Sequence, residues 1–117
     1  MDNHYHILLS IKKGATLSAI VRYINGGSSY DLNIMDKTKG RKIWWNYWDK
    51  SIREENDYYR IMNYIHHNPV KHCYAKRMDG YKYSSYRVYL RKYGKEWLND
   101  CFREYLIIDF TDANDDI

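Results

Sequence analysis

The chain has one proline, Pro69, and its position does most to limit the folds available. Proline lacks the amide hydrogen that a helix interior needs, and it disfavours helical backbone at the residue before it. Upstream, Glu54, Glu55 and Asp57 put negative charge where a helix N-terminus favours it. Tyr58, Ile61, Met62 and Ile65 then recur at helical spacing. This segment is expected to be an amphipathic helix that stops at Pro69, with Asn68 outside helical backbone and Tyr64 about one turn from the end.

The remaining segments alternate strand and helix signals. Residues 4–12 read as a strand, with His4, His6 and Leu8 on one face and Tyr5, Ile7 and Leu9 on the other. Gly14 breaks it, and Thr16 or Ser18 can cap a helix carrying Leu17, Ile20, Val21 and Ile24, which Gly26-Gly27 interrupts or kinks. A polar loop from Asp36 to Lys42 leads to Ile43-Trp44-Trp45-Asn46-Tyr47-Trp48, an aromatic run of strand propensity. After Pro69, Ser84 or Ser85 can cap a short helix through Leu90, and Trp97 to Leu106 is amphipathic. The last residues are polar and expected to be disordered, giving a domain over 1–108 and an acidic tail over 109–117.

Charge points to a polyanionic partner. All 19 basic residues lie at or before Arg103, against 11 acids within 1–105, so that body carries a net +8. Nucleic acid is the simplest such partner, and a solvated basic surface is the plain alternative. Fourteen tyrosines supply rings that either pack or stack on unpaired bases. Cys73 and Cys101 form no metal-like or paired pattern, and no long apolar run or signal-peptide core is present. A soluble, cytoplasmic chain with no membrane segment is expected.

Two clusters carry chemistry. His4 and His6 on one strand face would have Cβ atoms roughly 6–7 Å apart, a spacing that suits two ligands of one ion and equally suits two surface histidines. Tyr64 shares a helix face with Arg60 and Asn68, four residues to either side, so an amide oxygen could complete a metal site while the guanidinium holds a phosphate. His67 competes as ligand or proton carrier, and His66 is angled towards the surface. Half-buried packing is the ordinary alternative for Tyr64. A phenolate leaves more readily than an alkoxide, so a phosphotyrosyl bond can be re-attacked by a hydroxyl and the cut reversed.

Together these residues resemble a known family. Asn3-His4-Tyr5-His6-Ile7-Leu8-Leu9 is similar to the HUH motif of single-tyrosine insertion-sequence transposases. The ordered set of Trp44 to Trp48, Ile52-Arg53, Glu54-Glu55, Tyr64 to Lys71 and Ser84-Ser85-Tyr86 resembles the branch of REP-associated tyrosine transposases. The resemblance runs from about residue 3 to 90.

The resemblance implies Tyr64 as covalent nucleophile, with His4, His6 and Asn68 as ligands of Mg²⁺ or Mn²⁺. It implies single-stranded or hairpin DNA as substrate, cut and rejoined through a 5′-phosphotyrosine. Arg60, Lys71, Lys76, Arg77, Lys82 and Arg87 become candidates for DNA contacts. Relatives place the tyrosine helix in their own site or a partner's, so a homodimer is compatible. The implied fold is α+β and ferredoxin-like (RRM-like), here partial because the strand–helix–strand that precedes the motif in relatives is absent, as in a truncated reading frame. That would leave an unpaired edge. The alternative function is a non-catalytic remnant that binds single-stranded nucleic acid.

Overall fold

Thr16 opens the first helix as the sequence suggests. Its hydroxyl accepts the Ala19 amide at 3.2 Å, and helix α1 runs over Leu17–Met35. The glycine pair at 26–27 does not interrupt it. Two glycines cost roughly 2 kcal/mol of helix propensity, and seventeen other helical positions with a formed cap outweigh them. The computed structural model describes Met1 and residues 3–107. These fall into two compact units, one of Leu9–Asp49 and one of Met1–Leu8 with the chain from Lys50 onward.

In the unit of Leu9–Asp49, α1 buries no residue fully. Beyond its end the chain turns at Lys37 and Gly40, both with positive φ. Arg41 holds that turn, pairing with Asp36 at 2.7 Å and donating to Asn33 Oδ1 at 3.1 Å. The aromatic run that follows is irregular, with Trp45 70% exposed. Trp44 Nε1 donates to Ser28 Oγ at 2.7 Å, and the Lys42 ammonium lies 4.1 Å from the Trp45 ring centroid.

In the other unit, α2 (Glu55–Lys71) packs against α4 (Lys95–Glu104), and α3 (Tyr86–Tyr93) packs against α4. A short 3₁₀ turn over Met78–Gly80 contacts both α2 and α3. Met62, Tyr86, Leu98 and Cys101 form the apolar core. Leu98 is wholly enclosed, so Leu98→Ala is expected to lower the unfolding free energy by about 2–5 kcal/mol in a denaturant titration. Asn63, also buried, donates from Nδ2 to the carbonyls of Cys101 at 3.1 Å and Tyr105 at 3.0 Å. The Cys101 carbonyl also accepts the amide of Tyr105, the C-cap of α4, so this one side chain ties the end of α4 to α2.

Two expectations fail. The α+β, partial ferredoxin-like fold is not what forms: among the described residues there are helices and no strand or sheet. A strand exists only through its ladder partner, and alternation or β-propensity in residues 4–12 and 43–48 cannot supply one. Nor does Pro69 end its helix. The helix continues to Lys71, with Asn68 helical, and Tyr64 therefore lies about two turns from the end. Proline this close to a C-terminus costs one ladder bond, and both Asn68 and Pro69 are buried, so packing overrides the local preference. The chain is then turned by Cys73, at φ 63°, with the Tyr74 amide on the Pro69 carbonyl at 2.8 Å. The acidic tail over 109–117 lies outside the described residues.

Candidate active site

Helix α2 is buried on two sides, and the two sides do different things. Met62, Asn63 and His66 face the helical core. Tyr64 and Asn68, one turn apart, share another face, which His72 extends by a further turn as the helix C-cap. Against that second face runs the N-terminal segment. His4 and His6 are half-buried there while Tyr5 and Ile7 are exposed, so the alternation read from the sequence survives without a sheet.

The contacts converge. His4 Nε2 lies 3.1 Å from Asn68 Oδ1, and His4 Nδ1 lies 2.6 Å from Asn3 Oδ1. The His6 ring meets His4 edge-on at 5.3 Å and Tyr64 edge-on at 5.5 Å between centroids. His6 also hydrogen-bonds Asn68. The His72 ring stands 4.8 Å from His4, and the Lys71 ammonium lies 5.7 Å from the Tyr64 ring centroid. Two histidines from one end of the chain thus meet a phenol and an amide from residue 64 onward. Among the described residues, no three His, Cys, Asp or Glu side chains form a ready cation cage.

Burial lowers the His6 imidazole to about 4, reinforced by repulsion from His4 and His72, while its bond to Asn68 opposes the shift. A ring held neutral keeps a lone pair available for an electrophile.

The candidate basic residues divide by what they touch. Arg60 lies 3.9 Å from Asp57 on its own helix. Arg77 pairs with Asp79 at 3.2 Å, and Arg87 Nε donates to the Asp79 carbonyl at 2.8 Å. Lys82 stands over the Tyr83 ring at 4.8 Å, and Lys76 is exposed. Among the described contacts of this set, Lys71 alone adjoins the tyrosine.

The sequence reading misplaced one histidine and passed over another. His66 is buried, not superficial. Its Nε2 lies 2.8 Å from Ser85 Oγ, and its ring meets Tyr86 and Tyr89 edge-on. Rotation of a helix with polar residues all round is set by its neighbours, which local pattern does not reveal. His72 could have been found: it lies four residues after Asn68 and eight after Tyr64, on their face.

Burial also pushes His66 down to about 4 from an ordinary 6.5. The unfolded chain therefore binds a proton between those values that the folded chain refuses. The stability this ring allows is complete above pH 6.5 and falls as pH drops towards 4, by about 3 kcal/mol at most. Denaturant titrations without metal across this window should show the loss, and His66→Leu should remove this ring's share, leaving the share of His6, which is lowered to the same value.

Comparison with known proteins gives the family. The family described as IS200-like transposases matches residues 1–68, which include His4, His6, Tyr64 and Asn68. A protein of Haemophilus influenzae provisionally named a REP-associated tyrosine transposase is 34% identical over 109 residues, covering 83% of this chain. The match spans 62% of that protein's length. No solved structure matches the chain. With its family match running unbroken from the histidine pair to the tyrosine helix, the chain belongs to the IS200-like transposases.

Proposed function

We propose that this chain cleaves and rejoins single-stranded or hairpin DNA, using Tyr64 as nucleophile at a divalent metal site formed by His4, His6 and Asn68. The carrying observation is the meeting of His4 Nε2 and Asn68 Oδ1 at 3.1 Å beside the His6 and Tyr64 rings. A neutral imidazole donates from one nitrogen only. If His4 Nδ1–H donates to Asn3 Oδ1, the Nε2 lone pair faces the Asn68 carbonyl oxygen, and two acceptors oppose each other at 3.1 Å. A cation resolves that conflict. Ligands at right angles around an ion with bonds of about 2.1 Å stand about 3.0 Å apart, so the separation suits Mg²⁺ or Mn²⁺. The amide oxygen suits either ion, and the two imidazoles are tolerated better by Mn²⁺ than by Mg²⁺, which keeps to oxygen ligands.

When bound, the ion supplies Lewis-acid charge to the scissile phosphate. The chain's own groups do the rest. Tyr64 Oη forms a bond to phosphorus as the bond from phosphorus to the 3′ oxygen breaks. The phenolic proton passes to solvent, and the departing oxygen takes up a proton to become a 3′ hydroxyl. Rejoining reverses this: a DNA 3′ hydroxyl attacks the phosphotyrosine and releases the phenol. Lys71, over the Tyr64 ring, would counter the charge of the incoming phosphate. His6, edge-on to Tyr64, fixes the ring's orientation.

The reading is tested with Mn²⁺ and an end-labelled hairpin on a denaturing gel. A protein-linked product that disappears with EDTA supports it. Salt-sensitive binding without any linked product, under any divalent metal, would reduce the chain to a nucleic-acid-binding module.

A further inference from the structure

Beyond the site, the loop that follows α2 carries a series of tyrosine rings that neither the core nor the proposed chemistry uses. Tyr74 and Tyr81 stand 6.3 Å apart between centroids, and Tyr81 and Tyr83 5.8 Å apart. Tyr83 is 76% exposed, with the Lys82 ammonium 4.8 Å from its ring centroid, and Tyr74 is 39% exposed. An aromatic ring left this open keeps most of its apolar area in water.

The loop is held in place despite its exposure. Asp79 receives Arg77 on its carboxylate and Arg87 on its carbonyl, and Ser85 at the loop's far end meets the buried His66. Its charge is one-sided. Residues 71–92 contain seven basic side chains and a single acid, Asp79, which Arg77 already neutralises. The rings also adjoin the site. The Met1 amine donates to Tyr81 Oη, three residues before His4, and Tyr74 follows His72 by two residues.

We infer that Tyr74, Tyr81 and Tyr83 form a stacking platform for unpaired bases, which guides a single strand of DNA to and from Tyr64. Open aromatic faces recognise bases, and the surrounding cations recognise the backbone. A duplex keeps its bases stacked inside and would use the cations alone, so the rings select a single strand. This inference rests on the reading of the chain as one that handles single-stranded DNA, but it makes no use of the metal or of covalent chemistry.

Its test is therefore equilibrium binding in EDTA, where no linked product forms. The probe is a fluorescent oligothymidylate of about twelve nucleotides, followed by anisotropy against salt. Tyr83→Ala should weaken binding about tenfold with the salt slope unchanged, and Tyr83→Phe should stay within about twofold of the parent. Lys82→Gln should instead lower the salt slope by about 0.7. Equal affinity of the parent, Tyr83→Ala and Tyr83→Phe proteins would overturn the platform, as would an unlabelled duplex competing as well as a single strand. Failure of Mn²⁺-dependent linkage leaves this readout intact, so the two readings fail separately.

Discussion

Tyr64→Phe is expected to abolish covalent attachment to DNA while leaving a folded protein that still binds single strands. The ring is buried, edge-on to His6 and under the Lys71 ammonium. Phenylalanine preserves that packing and removes only the hydroxyl, so the cost to stability should be about 1 kcal/mol. The effect on chemistry is of another order. No other hydroxyl is described in contact with the His4–His6–Asn68 group, and loss of a nucleophile typically lowers rates by about 10⁴-fold or more. Linked product would be read on a denaturing gel and stability by thermal melting. A Tyr64→Phe protein that still links to DNA would assign the nucleophile elsewhere.

Asn68→Ala is expected to have the second largest effect, and on two readouts at once. Asn68 is buried, and its side-chain oxygen meets His4 Nε2 while the same amide bonds His6. Truncation strands both imidazoles in a half-buried site, at a cost of roughly 1–3 kcal/mol in unfolding free energy. It also removes the proposed oxygen ligand, so Mn²⁺ affinity measured by calorimetry should fall by about 100-fold or more. His67→Ala is the contrast. That side chain sits on the same helix and has no contact with His4, His6 or Asn68 among those described. It should change Mn²⁺ affinity less than about threefold. Equal losses in the two variants would mean that the helix, not the Asn68 amide, is what matters.

Where the sequence was a reliable guide, the physics was local. Thr16 caps α1, and Glu55 and Asp57 lie in the first turn of α2, because cap bonds and terminal charge depend on residues a few positions apart. The side-by-side placing of His4 and His6, with Tyr5 between them and facing out, follows from period-two alternation. Where it misled, the deciding term was distant. Residues 4–12 and the tryptophan run have strand composition, yet strand formation requires a partner that composition does not name. Pro69 signalled a stop that burial of Asn68 and Pro69 overrode. The burial of His66 and the approach of His72 to His4 depend on how α2 is rotated between its neighbours, and Ser85, Tyr86 and the N-terminal segment set that rotation.

Convergence of the two chain segments on one ion is measured most directly by paramagnetic broadening with Mn²⁺. Histidine and tyrosine ring signals and side-chain amide signals would be followed in ¹³C,¹⁵N-labelled protein while Mn²⁺ is added at a small fraction of one equivalent. Broadening should reach the rings of His4 and His6, the Asn68 amide and the Tyr64 ring first, with His66, on the far side of α2 against Ser85, among the last. Broadening centred on His66 or His67, or spread evenly over all five histidines, would contradict a metal site shared by the N-terminal pair and the tyrosine helix.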